Sequence, residues 1–224
     1  MLKNFAAGVI VALLTFALPA QALTQTYSFD ATIYGVRQYF GYAGVSVPIG
    51  SSVDASGVAI IEVGQKISGR FSFNSGGAPL SVNQYSAGTV YSAAYGTSNA
   101  SLAYTVVATN STFSSTGTTA SWNYQSPVSA DNFIVGGQNP ISAIWLEDLS
   151  KTAFAGGFPT GVLSLDTLSK AEFGASWFRS DGAQIVFDSQ LTSLTLLPVP
   201  EPSTWLMLSF GIAAVVSVAR RRRG

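Results

Sequence analysis

The chemistry open to this chain rests on carboxylates, because its 224 residues contain neither histidine nor cysteine. Without histidine the usual general base, the commonest transition-metal ligand and the serine–histidine triad are all excluded. Without cysteine there is no thiol nucleophile, no Cys/His zinc site and no disulfide. The sequence also lacks a Gly-x-Ser-x-Gly elbow, a Ser-x-x-Lys pair and a phosphate-cradling glycine loop followed by Lys-Ser/Thr. Glu147 and Asp148 are adjacent, with Asp131, Asp166 and Glu172 elsewhere. Glycosidases place two carboxylates a few ångströms apart. Neighbours on a strand point to opposite faces, so Glu147 and Asp148 read as a solvated strand end and not as a catalytic pair. Calcium needs several oxygen ligands close together. Asp54 with Ser56, or Asp181 with Asp188, are the nearest approach to such a set, and turn capping accounts for both. The expectation is a protein with no enzymatic activity, no cofactor and no metal.

Aromatic side chains are the other groups able to recognise a ligand. Trp122, Trp145 and Trp177, with Tyr34, Tyr39, Tyr42, Tyr91, Tyr95 and Tyr124, are candidates for stacking on sugar rings. Most aromatics of a β-rich domain belong to its core. Tyr39, Phe40 and Tyr42 are the set expected to be exposed, because Tyr39-Phe40-Gly41-Tyr42 lies in a glycine-rich stretch without alternation. They are the candidate glycan contact.

Charge narrows the partners. Once Lys3, Glu201 and the four terminal arginines are set aside, six basic residues (Arg37, Lys66, Arg70, Lys151, Lys170, Arg179) face ten acidic ones, a net charge of about −4. Phosphate contacts require clustered Lys and Arg, so nucleic acid is not an expected partner.

The elements that position these groups are strands. Residues 23–197 are dense in Ser, Thr, Gly, Tyr, Phe and Val and poor in Glu, Lys and Gln. Period-two alternation recurs: Tyr27, Phe29, Ala31 and Ile33; Ile67, Gly69, Phe71 and Phe73; Leu102, Tyr104, Val106 and Ala108; Ile185 and Phe187. Leu191–Leu197 reads as the closing strand. Val63-Gly64-Gln65-Lys66 predicts a tight hairpin between 58–63 and 67–73, and Ser180-Asp181-Gly182 predicts a second one. Leu163–Ala171 accommodates one short helix, with Asp166 or Ser169 as cap. Thr109–Thr119, rich in Ser and Thr, reads as an exposed loop or a weak edge strand. No fixed-period repeat appears, which disfavours a solenoid or propeller. Many short strands with frequent turns predict an all-β antiparallel β-sandwich, with a jelly roll or barrel as the alternative.

Both ends differ from this middle. Lys3, the uncharged apolar run Ala6–Leu18 and Ala20-Gln21-Ala22 form the three parts of a secretory signal peptide, cut after Ala22. At the other end stand Pro200-Glu201-Pro202-Ser203-Thr204, an uncharged apolar run from Trp205 to Ala219, and Arg220, Arg221, Arg222 and Arg223. The run is 15 residues, roughly 22 Å as a helix, and the flanking arginine stems extend its reach. Four arginines stay cytoplasmic, which places the preceding domain on the far side of the membrane. The two prolines make an extended, accessible spacer. The expected organisation is a signal peptide (1–22, helical), a β-sandwich (23–197) and a tail (198–224) with a transmembrane helix.

The tail resembles the PEP-CTERM sorting signal of Gram-negative bacteria, in its Pro-Glu-Pro triplet, its short hydrophobic stretch and its arginine cluster. That resemblance implies recognition by an exosortase, cutting near the triplet, and delivery to the cell surface or to exopolysaccharide. The same tail carries the name of an ice-binding protein C-terminal domain, a label for the tail alone. Tyr27–Val36, the Gly64–Phe71 region and Asp181–Thr195 are similar to β-domains found ahead of such tails.

Overall fold

The computed structural model of the protein describes residues 24–40, 45–53, 57, 60–74, 81–84, 90–94, 100–124, 130–137, 141–155, 158–159 and 161–198. The expected signal helix, and the expected transmembrane helix with its sorting motif, lie outside them. Among the described residues no helix is long and apolar enough to cross a membrane.

Fifteen strands appear in the described chain: β1 (Thr24–Phe40), β2 (Val45–Pro48), β3 (Ser51–Val53), β4 (Ile60–Glu62), β5 (Lys66–Asn74), β6 (Ser81–Gln84), β7 (Val90–Ala94), β8 (Ala100–Val106), β9 (Ser111–Tyr124), β10 (Asp131–Gly137), β11 (Ile141–Asp148), β12 (Phe154–Ala155), β13 (Phe158–Pro159), β14 (Lys170–Phe178) and β15 (Gln184–Leu196). Eight of them close into one ring, β1–β5–β8–β9–β10–β11–β14–β15 and back to β1, every pair antiparallel. Spatial order around the ring equals chain order, so this is an up-and-down barrel.

The sandwich expectation is thereby corrected. A sandwich leaves sheet edges, whereas here the first strand pairs with the last, from Tyr27 opposite Leu196 to Tyr39 opposite Gln184. Alternation is the same in both architectures, because each buries one face of every strand. Only the long-range pairing of β1 with β15 distinguishes them.

The barrel is filled by the alternating residues. Tyr27, Phe29, Ala31, Ile33, Ile67, Phe71, Phe73, Leu102, Tyr104, Phe133, Ile144, Phe173, Ile185 and Phe187 are buried. Their rings interlock: Phe173 touches Phe29, Tyr104 and Phe187, with centroids 5.3, 4.8 and 5.6 Å away. Aromatic packing of this kind dominates core energetics. The intervening outward positions carry Ser28, Asp30, Thr32, Ser68, Arg70, Thr105 and Glu172. An apolar interior with a polar exterior is the reverse of the arrangement in barrels that face lipid.

Three local expectations change. The turn at Val63–Gln65 exists, with Gly64 at φ 92°, but it does not join a hairpin: β4 pairs with β3, while β5 pairs with β1 and β8. Within Thr109–Thr119 only Thr109 and Asn110 form a turn; from Ser111 the segment is neither loop nor weak edge, since β9 hydrogen-bonds to β8, β10 and β7. Beyond Phe113, which stacks on Tyr104 in the core, the inward positions of β9 are small: Gly117, Thr119 and Ser121. A Cβ on Gly117 would run into the carbonyl of Gly136, so the absent side chain lets β9 and β10 approach. The short helix is a single 3-10 turn, Leu165–Thr167, capped by Ser164 and not by Asp166 or Ser169. The hairpin at Ser180-Asp181-Gly182 forms as expected, with Phe178 opposite Gln184 and Gly182 at φ 81°.

Candidate functional site

The outward faces of β11, β14, β15 and β1 form the most chemically equipped surface of the described residues. Its centre is Glu172 on β14. Trp145 on β11 is its direct cross-strand partner. Because Ile144 and Leu146 point inward, Trp145 must point outward, and it is 41% exposed. Its indole N–H donates to Oδ1 of Asn132 on β10 at 2.9 Å. Asn132 in turn donates to the Ala130 carbonyl at 3.1 Å. This chain of bonds fixes the plane of the indole ring.

Tyr34 approaches from the other side. The register between β1 and β15 shifts between Ile33 and Gly35, leaving Tyr34 as the extra residue of a bulge. Bulges re-aim side chains. Here the phenol, 52% exposed, leans across β15 and donates its O–H to Oε1 of Glu172 at 2.8 Å. Burial, the Glu172 bond and the charges of Glu172 and Asp188 all push the phenol above its ordinary pKa, so it remains a donor. Lys170 reaches Oε2 of the same carboxylate at 3.0 Å. Glu172 holds the Lys170 ammonium above its usual pKa.

The floor beside Trp145 is low. Ala143, Gly174 and Val186 line a groove of about 190 Å³ with Trp145, Glu172 and Asp188. A second hollow of about 330 Å³, lined by Tyr34, Gly35, Arg37 and Pro48, shares Asp188 with it. Asp188 forms an ion pair with Arg37 across β15 and β1. A larger hollow of about 410 Å³ lies over Ser28, Asp30, Ser68, Arg70, Thr105 and Thr112. Its hydroxyls bond one another, as Thr105 does Thr112 at 2.9 Å, and no exposed aromatic borders it. The groove beside Trp145 is therefore the better equipped site.

The residues singled out from sequence are placed differently. Tyr39 is not in a loop: β1 runs through Phe40, and Tyr39 is half-buried opposite Gln184 and Ser46. Phe40 pairs through its backbone with Val45; its side chain, and the whole of Tyr42, lie outside the described residues. The same holds for Ala20, Ala22, Pro200, Glu201, Pro202, Ser203, Arg220, Arg221, Arg222 and Arg223. Trp177 is core, against Phe187. The signal for Trp145 was present in the alternation of Ile144 and Leu146, and the signal for Tyr34 in the glycine that follows it.

The carboxylates separate as strand geometry requires. Glu147 faces out and Asp148, 1% exposed, faces in. Asp148 instead stands directly opposite Asp131 on β10. This pair is engaged by its own surroundings. Asp148 accepts N–H groups of Ser150, Thr152 and Ala153, each at 2.7 Å, and the Ser150 hydroxyl at 2.6 Å. Burial alone raises a carboxyl pKa, but the bonds from Ala153, Ser150 and Thr152 outweigh it and hold Asp148 below its usual value. Lys151 lies 4.0 Å from Asp131. Asp181 caps its turn through the Ala183 N–H at 3.1 Å and pairs with Arg179. Asp54 and Ser56 lie outside the described residues. Among the described residues no cluster of three acidic groups is arranged to hold a metal.

The family model of the PEP-CTERM protein-sorting motif matches residues 198–223. No curated protein and no solved structure matches the chain.

Proposed function

We propose that this chain, which carries the PEP-CTERM sorting motif, is a non-enzymatic binding protein displayed at the cell surface or in the extracellular matrix, where its barrel associates with exopolysaccharide. The motif itself implies export and a membrane-anchored precursor processed by exosortase. The observation that carries the reading is the position of the motif. The ladder of β15 ends at Leu196, and Leu197 still bonds Thr26 at 2.8 Å, so the sorting signal begins where the barrel ends. The exported cargo is thus one closed barrel.

A passive, binding role for that cargo is supported by the interior of the described residues, which large aromatic and aliphatic side chains fill. It is further supported by the state of Asp131 and Asp148, whose opposed carboxylates are buried against their own strands and loop. A carbohydrate-binding role is favoured by exposed Trp145 and Tyr34.

The test follows the full chain in an exosortase-bearing host, with Pro200-Glu201-Pro202 intact or replaced by alanines. The intact chain is expected to leave the inner membrane at reduced mass, and the variant to stay as precursor. Equal mass and equal membrane retention in both would defeat the sorting reading. In a host without exopolysaccharide the processed protein is expected in the medium; unchanged retention on cells would defeat the polysaccharide association.

A further inference from the structure

We propose that the groove lined by Trp145 and Glu172, with Tyr34 bonded to Glu172 at its margin, is a binding site for an uncharged hexopyranose chain; this deepens the polysaccharide association proposed above and rests on it. Three features converge there. The first is a pair of aromatic walls in fixed orientation, Trp145 held by Asn132 and Tyr34 by its bulge and by Glu172. A ring held in place before the ligand arrives loses little freedom on binding. The second is a carboxylate between the walls. Glu172 receives Tyr34 and Lys170, one on each oxygen. A carboxylate has about four lone-pair sites, so two acceptor positions remain for sugar hydroxyls. The third is the floor: Ala143 and Gly174 raise no large side chain beside Trp145.

The same features exclude other ligand classes. β11, β14, β15 and β1 are each paired on both sides, so the groove offers no free edge to an extended peptide. Glu147, Glu172 and Asp188 outnumber Lys170 and Arg37, and the barrel as a whole carries about −4. This field opposes phosphates and uronates. What fits is a molecule with flat C–H faces for the rings, hydroxyls for Glu172 and no negative charge. Across β11, β14 and β15 the groove crosses two strand spacings of ~4.8 Å, about 10 Å. That length suits a pair of sugar units better than a single ring.

The test is calorimetric titration of the full-length chain in mild detergent with hexamers of glucose, mannose and galactose, and with an oligogalacturonate. At least one neutral hexamer is expected to bind, with the oligogalacturonate tenfold or more weaker. Trp145→Ala is expected to lower affinity at least tenfold, and Glu172→Gln severalfold. Asn132→Ala acts through the indole and is expected to weaken binding while shifting the Trp145 fluorescence maximum. Val107→Ser, at an exposed turn away from the groove, is expected to bind as the parent does. Near-ultraviolet circular dichroism reports whether each variant is folded; where Trp145→Ala fails to fold, Tyr34→Ala takes its place. Absence of binding to every neutral hexamer, undiminished binding in Trp145→Ala and Tyr34→Ala, or equal affinity for the oligogalacturonate would each overturn the groove. If the processed protein still depends on exopolysaccharide for retention while these variants retain it equally, the polysaccharide association stands and the groove alone is refuted.

Discussion

The ring of Phe29 lies over Gly69, its direct partner across β1 and β5, and occupies the space a side chain at that position would take. A Cβ on Gly69 would meet the Phe29 ring and come within 2.6 Å of the Ala103 carbonyl. The cross-strand aromatic shields the glycine and fills the barrel at once.

Gly69→Ala is therefore expected to destabilise the barrel by about 1–3 kcal/mol, because the ring can shift but the Ala103 backbone cannot. Denaturant unfolding checks it. A companion Phe29→Leu change should recover part of the loss, since it withdraws the ring that the new methyl strikes.

Gly117 is the second strict position. Any side chain there meets the Gly136 carbonyl, and Gly137 Cα at 2.9 Å. Both obstacles are backbone. Gly117→Val is expected to separate β9 from β10 and to abolish cooperative unfolding. Hydrogen exchange on β10 amides would reveal the open seam; retained protection there would contradict it.

Asp148 supplies a pH dependence. Its folded pKa is depressed, so its stabilisation is complete at neutral pH and fades as pH falls from the unfolded value near ~3.9 through the lower folded one. Asp148→Asn is expected to cost about 3 kcal/mol at pH 7, because charge-assisted bonds from three backbone amides to a buried carboxylate are lost or weakened. The cost should shrink in acid, as first the unfolded and then the folded parent carboxyl takes up a proton. Equal losses at pH 7 and pH 3 would argue against this role.

Phe187 binds the last strand to the core, with ring centroids of Phe173, Trp177 and Tyr104 at 5.6, 5.9 and 6.1 Å. Phe187→Ala is expected to cost about 3–5 kcal/mol in chemical denaturation. An equivalent truncation at exposed Phe178 should cost less than about 0.5 kcal/mol.

The inward face of the fold was legible in sequence because alternation is a local property. Tyr27, Phe29, Ala31 and Ile33 were read as one face and are one face. The hairpin at Asp181-Gly182 was legible because its turn chemistry is local too. Closure was not, since nothing near Tyr27 or Leu196 states that they pair. β9 was misread because its hydroxyl-rich sequence resembles a loop, although small side chains are what a close strand approach at Gly117 demands. The groove was missed for a related reason. Trp145, Glu172 and Tyr34 are far apart in the chain, and only the β11–β14–β15–β1 order brings them together. Tyr39 sits among glycines that favour a loop in isolation, yet β1 continues through it.

The pairing of β1 with β15 also has a mechanical meaning. While the precursor is tethered through its tail, drag on the barrel enters it at Leu197, the end of β15. That strand is bonded on one flank to β14 and on the other to β1. Whatever part of the load runs along β15 shears two ladders together, so the tether point is held by both neighbours at once.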